Sequence, residues 1–278
     1  MKVDFMIIGA QKAATTSLYS ILDSHPSLVG SRPKEPHFFS KSKNWREELS
    51  QYEQRFIQQE GALYFEASTT YTFFPLTNWH IWDDLYEYNP ELKFIYLVRD
   101  PVQRIISSYM HSYERGITDL SIEEVIVQNR KYIDVSRYAT QITPYIERFG
   151  REYVLIIDFD DFNDNRDKAM RSIAAFLSVD FAGFKDYEKT RSNVSLGGNK
   201  KHRRWDKPNL AQKAVRKYLP GVWDQLTRNE DRAFHQRPTL SVATQRMILQ
   251  MLRLEIDALE KIMNKDLSHW RQIHDRSI

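Results

Sequence analysis

The chain is predicted to fold as an α/β protein in three layers, with a central parallel sheet flanked by helices and a helical C-terminal part. In the first 160 residues, short apolar runs alternate with segments whose apolar residues recur at helical spacing. This alternation is typical of parallel strands joined by right-handed helical crossovers. Past residue 160, the apolar stripes have helical spacing alone. Because a chain of 278 residues can build one large core, we expect residues 1–278 to form a single domain.

Each element is predicted from its own pattern. Four buried runs predict strands, at residues 5–8, 63–67, 93–98 and 153–157. Apolar residues at helical spacing predict helices, at residues 13–23, 102–114, 136–149, 166–177 and 242–263. Parallel strands bring their carboxyl ends to one edge of the sheet, and ligands of such folds bind outside that edge. Loops that follow the strands are therefore the first places to look for a site.

The composition excludes several classes of protein. Lys and Arg number 40 against 37 Asp and Glu, so the formal charge of +3 gives no global attraction to nucleic acid or to an anionic membrane. No run approaches the ~18 apolar residues of a membrane span, and no signal peptide is expected. The chain has no cysteine, which excludes disulfides and thiolate chemistry and fits a reducing compartment. We expect a cytoplasmic protein that binds neither nucleic acid nor membrane.

The junction between the first strand and the first helix predicts an anion site. The apolar run breaks at Gly9 into a lysine and three hydroxyl residues, and helical spacing then resumes. The first N–H groups of a helix lack intrahelical partners and carry the positive end of its dipole, so a phosphate fits there. Common nucleoside triphosphate loops have a second glycine before the lysine, and an ordinary turn with a stray lysine is the alternative. The predicted binding residues are Gln11, Lys12, Ala13, Ala14, Thr15, Thr16 and Ser17.

A second anion site is predicted where the strand at residues 93–98 ends. Arg99 follows that strand, on the edge shared with the Lys12 loop. A guanidinium binds phosphate bidentately without a metal, whereas an ATP-hydrolysing enzyme is expected to have a carboxylate there to organise Mg²⁺. Ser107 on the next helix can share the anion, and pairing of Arg99 with Asp100 or a neighbouring helix is the alternative. Two anion sites on one edge suit a nucleotide phosphorylated at both its 5′ and 3′ positions.

Four segments in order resemble the sulfotransferases that use 3′-phosphoadenosine 5′-phosphosulfate (PAPS), particularly the branch of the heparan sulfate enzymes and their bacterial relatives. GAQKAATTSL resembles their 5′-phosphosulfate loop, and LVRDPVQRIISSYMH resembles their 3′-phosphate motif. KEPHFF resembles the loop whose glutamate, here Glu35, is the general base for the acceptor. SLGGNKKHRRW resembles the late loop that closes over the nucleotide, which implies cofactor contacts by Gly198 and by Lys200 or Lys201.

The resemblance implies a P-loop-like fold and transfer of a sulfuryl group from PAPS to a hydroxyl of a small-molecule or saccharide acceptor. Lys12 would offset charge on the leaving 5′-phosphate, and Glu35 would take the proton of the acceptor. His37, two residues from Glu35, is the alternative base. A Glu35 carboxylate tied to Arg32 is the structural alternative. The catalytic candidates are thus Glu35, Lys12 and His37, and no metal ligand is predicted.

The acceptor is less well defined by the sequence than the donor. Many glycosaminoglycan enzymes of the resembled branch have a lysine where this chain has Ala67, which argues against a polyanionic acceptor. Nine aromatic residues between positions 64 and 88 either wall an acceptor pocket or belong to the core. Two rival functions remain, a Mg²⁺-dependent P-loop kinase for a nucleotide or small molecule and a catalytically silent nucleotide-binding module. Identity of the acceptor and oligomeric state are left open.

Overall fold

The computed structural model describes residues 1–185, 187, 188, 217, 234 and 236–273. Its strands are β1 (Phe5–Gly9), β2 (Leu28–Gly30), β3 (Leu63–Ala67), β4 (Lys93–Val98) and β5 (Val154–Asp158). Its α-helices are α1 (Thr15–Leu22), α2 (Phe38–Lys41), α3 (Trp45–Glu53), α4 (Ile81–Tyr88), α5 (Pro101–Glu114), α6 (Ile122–Gln128), α7 (Lys131–Asp134), α8 (Tyr138–Phe149), α9 (Phe159–Asp164), α10 (Arg166–Leu177) and α11 (Val242–Met263). Short 3₁₀ turns cover Thr69–Thr72, Arg151–Tyr153, Phe181–Gly183 and Ser268–Arg271.

The strands form one parallel sheet in the order β2-β3-β1-β4-β5. β1 lies in the middle and is buried along its whole length. Phe5 of β1 pairs with Phe65 of β3 on one side and with Lys93 of β4 on the other. The prediction of a parallel sheet flanked by helices is confirmed, and all four predicted strands are present within one residue of their predicted bounds. The short edge strand β2 was not predicted.

Helices cover the sheet and extend the core beyond it. α11 packs along α8 and α5 and buries Gln245, Ile248, Leu252, Ile256 and Leu259 on one face. This stripe confirms the helical periodicity predicted for residues 242–263. Among the helices that the structure describes, none combines the length and the apolar composition needed to cross a membrane.

A β-bulge shapes the end of β1. Ile7 pairs with Ile95 of β4, but Gly9 pairs with the very next residue, Tyr96, so β1 has one residue more than its neighbour at this point. A Cβ atom on Gly9 would lie 2.2 Å from Oγ1 of Thr72 and 2.8 Å from Cε2 of Tyr96, so the packing admits only glycine. The Thr72 hydroxyl also donates to the Ile8 carbonyl at 2.8 Å. The end of β1 is therefore packed between Thr72 on one side and Tyr96 of β4 on the other.

Candidate active site

The loop between β1 and α1 has the backbone of an anion site. The Ala10 N–H donates to the Leu97 carbonyl at 2.7 Å, which fixes the loop to β4. Lys12 and Ala14 have left-handed backbones, with φ of 72° and 66°. Ala14 is the N-cap of α1 and offers no side-chain acceptor, so the first N–H groups of that helix have no side-chain cap. The loop thus presents amide donors and the positive end of a helix at the carboxyl edge of the sheet.

The Lys12 ammonium is largely buried, with carboxylates and guanidinium groups both near it. Burial lowers its pKa, the carboxylates of Glu114 and Glu35 oppose that change, and the guanidinium groups of Arg99 and Arg104 add to it. A lysine held in this way has already lost much of its hydration. An anion that binds beside Lys12 would stabilise the charged ammonium and raise its pKa again.

Arg99 and Lys12 meet at this edge, as the order of the strands predicts. Arg99 Nη1 donates to the Lys12 carbonyl at 3.1 Å, and its guanidinium carbon lies 4.2 Å from the centre of the Phe159 ring. The Asp100 carboxylate caps α5 by accepting the Gln103 N–H at 2.8 Å. Stacking on the ring orients the guanidinium plane and leaves most of its N–H donors for a ligand.

Helix α5 brings hydroxyl groups to the same loop. Ser107 is 4% exposed and lies two turns from Arg99, as predicted. The neighbouring Ser108 hydroxyl donates to Gln11 Oε1 at 3.4 Å, so this α5 residue contacts the loop directly. Ser108 was not predicted, although it stands beside Ser107 in the same motif.

A third cation, Arg104, is fully buried on α5 and was also not predicted. Its Nε donates to the Ser136 hydroxyl at 2.6 Å, and its Nη2 donates to the Tyr132 carbonyl. Its Nη1 has no hydrogen-bond partner among the described residues. Its charge lowers the pKa of both Lys12 and Arg99. The site therefore has three cationic side chains that influence one another.

The second part of the site is the loop that carries Glu35 and His37. Both residues have left-handed backbones, with φ of 61° and 54°. Lys34 Nζ lies 2.6 Å from Glu35 Oε1, and His37 Nε2 lies 3.5 Å from Glu35 Oε2. Arg32 pairs with Asp23 at 2.7 Å, so the alternative that tied Glu35 to Arg32 is wrong. The Glu35 carboxylate is thus held between a lysine and a histidine and is one-third exposed.

The His37 ring lies between a hydroxyl and the Glu35 carboxylate. Its Nδ1 is hydrogen-bonded to the Thr70 hydroxyl at 2.8 Å, and its Nε2 lies 3.5 Å from Glu35 Oε2. The Ser40 hydroxyl donates to the His37 carbonyl at 3.0 Å and lies 2.6 Å from the Thr70 hydroxyl. Burial lowers the pKa of His37, the ammonium groups of Lys41 and Lys34 lower it further, and Glu35 opposes them, which favours the neutral ring.

A buried carboxylate, Glu66 in β3, supports this loop and was not predicted. Its Oε1 accepts from the Tyr52 and Tyr71 hydroxyls at 2.7 and 2.6 Å, and its Oε2 accepts from the Ser68 hydroxyl at 2.6 Å. Burial raises the pKa of Glu66, and these three hydrogen bonds oppose the rise. A carboxylate inside the apolar run Leu63–Ala67 was the sequence signal for this cluster, because ionisable side chains are rarely fully buried without partners.

Four of the nine aromatic residues between positions 64 and 88 belong to the buried core. Phe65, Tyr71, Phe73 and Tyr88 are buried, whereas Trp79 is 61% exposed. The predicted cofactor residues Gly198, Lys200 and Lys201 lie outside the described residues. Within the described ranges, no three His, Cys, Asp or Glu side chains are grouped so that they could share a metal ion.

The chain has a P-loop-like α/β fold, and Arg99 contacts the Lys12 loop at the carboxyl edge of its sheet. Residues 2–238 match the family model of the sulfotransferase domain, and the chain belongs to that family. The resemblance carried by the four sequence segments is thereby confirmed at the level of the family.

A solved structure and two curated proteins illustrate the relationship. A sulfotransferase from Alicyclobacillus acidocaldarius shares the fold, with a TM-score of 0.72 and 22% identity over 98% of this chain and 100% of that chain. The bifunctional heparan sulfate N-deacetylase/N-sulfotransferase 1 of Caenorhabditis elegans is 25% identical over 83% of this chain and 28% of that protein. The heparan sulfate glucosamine 3-O-sulfotransferase 5 of Mus musculus is 25% identical over 63% of this chain and 53% of that protein. The chain therefore spans about half the length of these two curated relatives or less.

Proposed function

We propose that the protein transfers the sulfuryl group of PAPS to a hydroxyl of a small-molecule or saccharide acceptor. The observation that carries this proposal is the meeting of Lys12 and Arg99 at the carboxyl edge of the sheet, where Arg99 Nη1 lies 3.1 Å from the Lys12 carbonyl. Two cationic side chains beside an uncapped helix start suit a nucleotide with phosphates at both its 5′ and 3′ ends. Membership of the sulfotransferase family gives the donor its identity.

The donor set of this chain fits PAPS. The α1 N–H groups, Lys12 and the hydroxyls of Thr15 and Thr16 would hold the 5′ end, and Arg99 with Ser107 would hold the 3′-phosphate. When bound, PAPS supplies an activated sulfuryl group and leaves as 3′,5′-ADP. Lys12 would stabilise the negative charge that develops on the departing 5′-phosphate, and pre-oriented charges of this kind need no reorganisation during the reaction.

Glu35 is the group that would take the proton of the acceptor. Its carboxylate is partly exposed and is oriented by Lys34 on one oxygen and by His37 on the other. His37 Nδ1 is hydrogen-bonded to the Thr70 hydroxyl, and the His37 side chain is 19% exposed against 33% for Glu35, so Glu35 is favoured over His37 as the base. A positioned general base contributes roughly 10²- to 10⁴-fold to the rate.

A hydroxyl acceptor is proposed, and two observations support a saccharide or another neutral alcohol. Both curated relatives described above carry heparan sulfate in their names, and one is named for 3-O-sulfation. Ala67 is fully buried at the end of β3, beside Ile7, so no cationic side chain extends from this position. The names of the relatives support a saccharide, and Ala67 supports an acceptor that is less anionic than heparan sulfate.

The test is to incubate the protein with PAPS and a panel of hydroxylated metabolites and sugars, and to detect sulfonate gain by mass spectrometry. Transfer should persist in the presence of EDTA; transfer of phosphate from ATP that stops with chelator would support a kinase instead.

Glu35→Gln should reduce transfer at least 100-fold, in line with the loss of a base, and should leave the Kd for 3′,5′-ADP within about twofold. Glu47→Gln, which removes an exposed carboxylate on α3, is the matched control. Full activity of Glu35→Gln would overturn the assignment.

A further inference from the structure

The loop that carries Glu35 and His37 has a backbone that needs external support. Both residues are non-glycine and have φ near 60°, a left-handed conformation that costs free energy for side chains with a Cβ atom. Such conformations persist where surrounding contacts determine them. The contacts of the loop with the rest of the fold therefore decide whether Glu35 is held in place.

One contact fixes the backbone of the loop directly. The His37 N–H donates to the Ser68 hydroxyl at 2.9 Å. The Ser68 hydroxyl in turn donates to Glu66 Oε2 at 2.6 Å, so the direction of both hydrogen bonds is determined. Ser68 and Glu66 are both 0% exposed, so no water competes for either bond. Hydrogen bonds in a chain polarise one another, so a hydroxyl that donates to a buried carboxyl oxygen is a better acceptor for the amide.

Glu66 is itself fixed within the sheet. It belongs to β3 and pairs with Met6 of β1, the strand that leads into the anion loop. Its second oxygen, Oε1, accepts from the Tyr52 and Tyr71 hydroxyls. The carboxylate therefore ties the Glu35 loop to the same central strands that position Lys12.

We propose that Glu66 is a positioning residue that acts through the Ser68 hydroxyl to fix the loop carrying Glu35 and His37. Its effect on turnover rests on the proposed function, whereas its effect on the order of the loop does not. Burying a carboxylate is costly, and a cluster used only for stability would be served as well by apolar side chains of similar size. In this cluster three hydroxyls donate to the Glu66 carboxyl group, and the Ser68 hydroxyl alone among them also accepts the His37 amide.

Two variants separate positioning from stability. Ser68→Ala breaks the link to the loop, whereas Tyr52→Phe removes one donor from the opposite oxygen of Glu66 and keeps the ring that stacks on Phe38 at 4.4 Å. Hydrogen exchange should show the His37 amide exchanging roughly tenfold faster in Ser68→Ala, with the amides of β1 unchanged. Tyr52→Phe should lower the melting temperature and leave exchange at His37 within about twofold.

The two variants are also expected to differ in turnover. With an acceptor found in the panel, Ser68→Ala should lower kcat about tenfold, with the Kd for 3′,5′-ADP unchanged, and Tyr52→Phe should retain kcat within about twofold. Should Ser68→Ala fail to fold, Glu66→Gln, which preserves side-chain shape, should show the same faster exchange at His37. The proposal is overturned if the His37 amide exchanges at the same rate in Ser68→Ala as in the wild type. If Glu66→Gln is used instead, the same result in that variant overturns it. If no acceptor is sulfonated by the wild type, the sulfuryl-transfer function fails, and the exchange comparison still decides the positioning role.

Discussion

Replacing Lys12 by methionine is expected to weaken the binding of 3′,5′-ADP by roughly 10- to 150-fold. The ammonium is largely buried beside Arg99 and Arg104, and its lowered pKa indicates that its desolvation is already present in the free protein. A hydrogen bond from a charged donor to phosphate then contributes about 1.5 to 3 kcal/mol, and about 1.4 kcal/mol corresponds to a tenfold change in Kd. Methionine keeps most of the apolar stem, so the packing of the loop is retained. Isothermal titration calorimetry measures the Kd directly.

Lys2→Met is the matched control for this experiment. Lys2 is exposed just before β1, at the opposite edge of the sheet from the Lys12 loop, and its replacement removes the same unit of charge. The Kd of this control should stay within about twofold of the wild type, since surface charges far from a ligand are screened by salt. If Lys12→Met also binds within twofold of the wild type, Lys12 does not hold the phosphate and the reasoning is refuted.

Two further predictions concern stability. Gly9→Ala should lower the free energy of unfolding in urea by about 1 to 3 kcal/mol. The reason is that its Cβ would lie 2.2 Å from Thr72 Oγ1 and 2.8 Å from Tyr96 Cε2. A variant as stable as the wild type would contradict the packing at the end of β1. Hydrogen bonds from Arg271 hold the pKa of Glu260 at about 2, below its ordinary value of 4.5. Since the folded pKa is the lower one, this pair stabilises the fold above pH 4.5 and loses its effect as the pH falls toward 2. Arg271→Met should therefore lower the melting temperature at pH 6 more than at pH 3, and an equal deficit at both pH values would argue against the pair.

The strands were predictable where a run was long enough to show its pattern. β1, β4 and β5 are apolar runs of five or six residues, and each is present within one residue of its predicted bounds. β2 has only three residues, Leu28–Gly30, and pairs with β3 alone. Three residues cannot show a period, so an edge strand of this length is defined by its neighbour instead of by its own sequence.

The part of the site that was predictable is the part that follows from the shared edge of the parallel strands. The rule that parallel strands end at one edge placed Arg99 beside the Lys12 loop, and their hydrogen bond confirms that placement. Side-chain partners across the chain were not predictable in this way. The His37 amide meets Ser68 because the loop folds back over the end of β3, a contact 31 positions apart in sequence. Arg32 likewise pairs with Asp23, nine positions away, whereas the sequence offered Glu35 as a nearer partner.

The bulge at the end of β1 affects how the loop that carries Lys12 can be grafted onto another protein. Side chains alternate between the two faces of a strand, so one additional residue between Ile7 and Gly9 reverses that alternation for everything that follows. The direction in which Lys12 leaves the sheet is therefore set by strand length as well as by the loop sequence. Anyone grafting residues 9–18 onto another parallel sheet would have to transplant the bulge with them, because the same ten-letter motif on a regular strand would present its lysine to the wrong side.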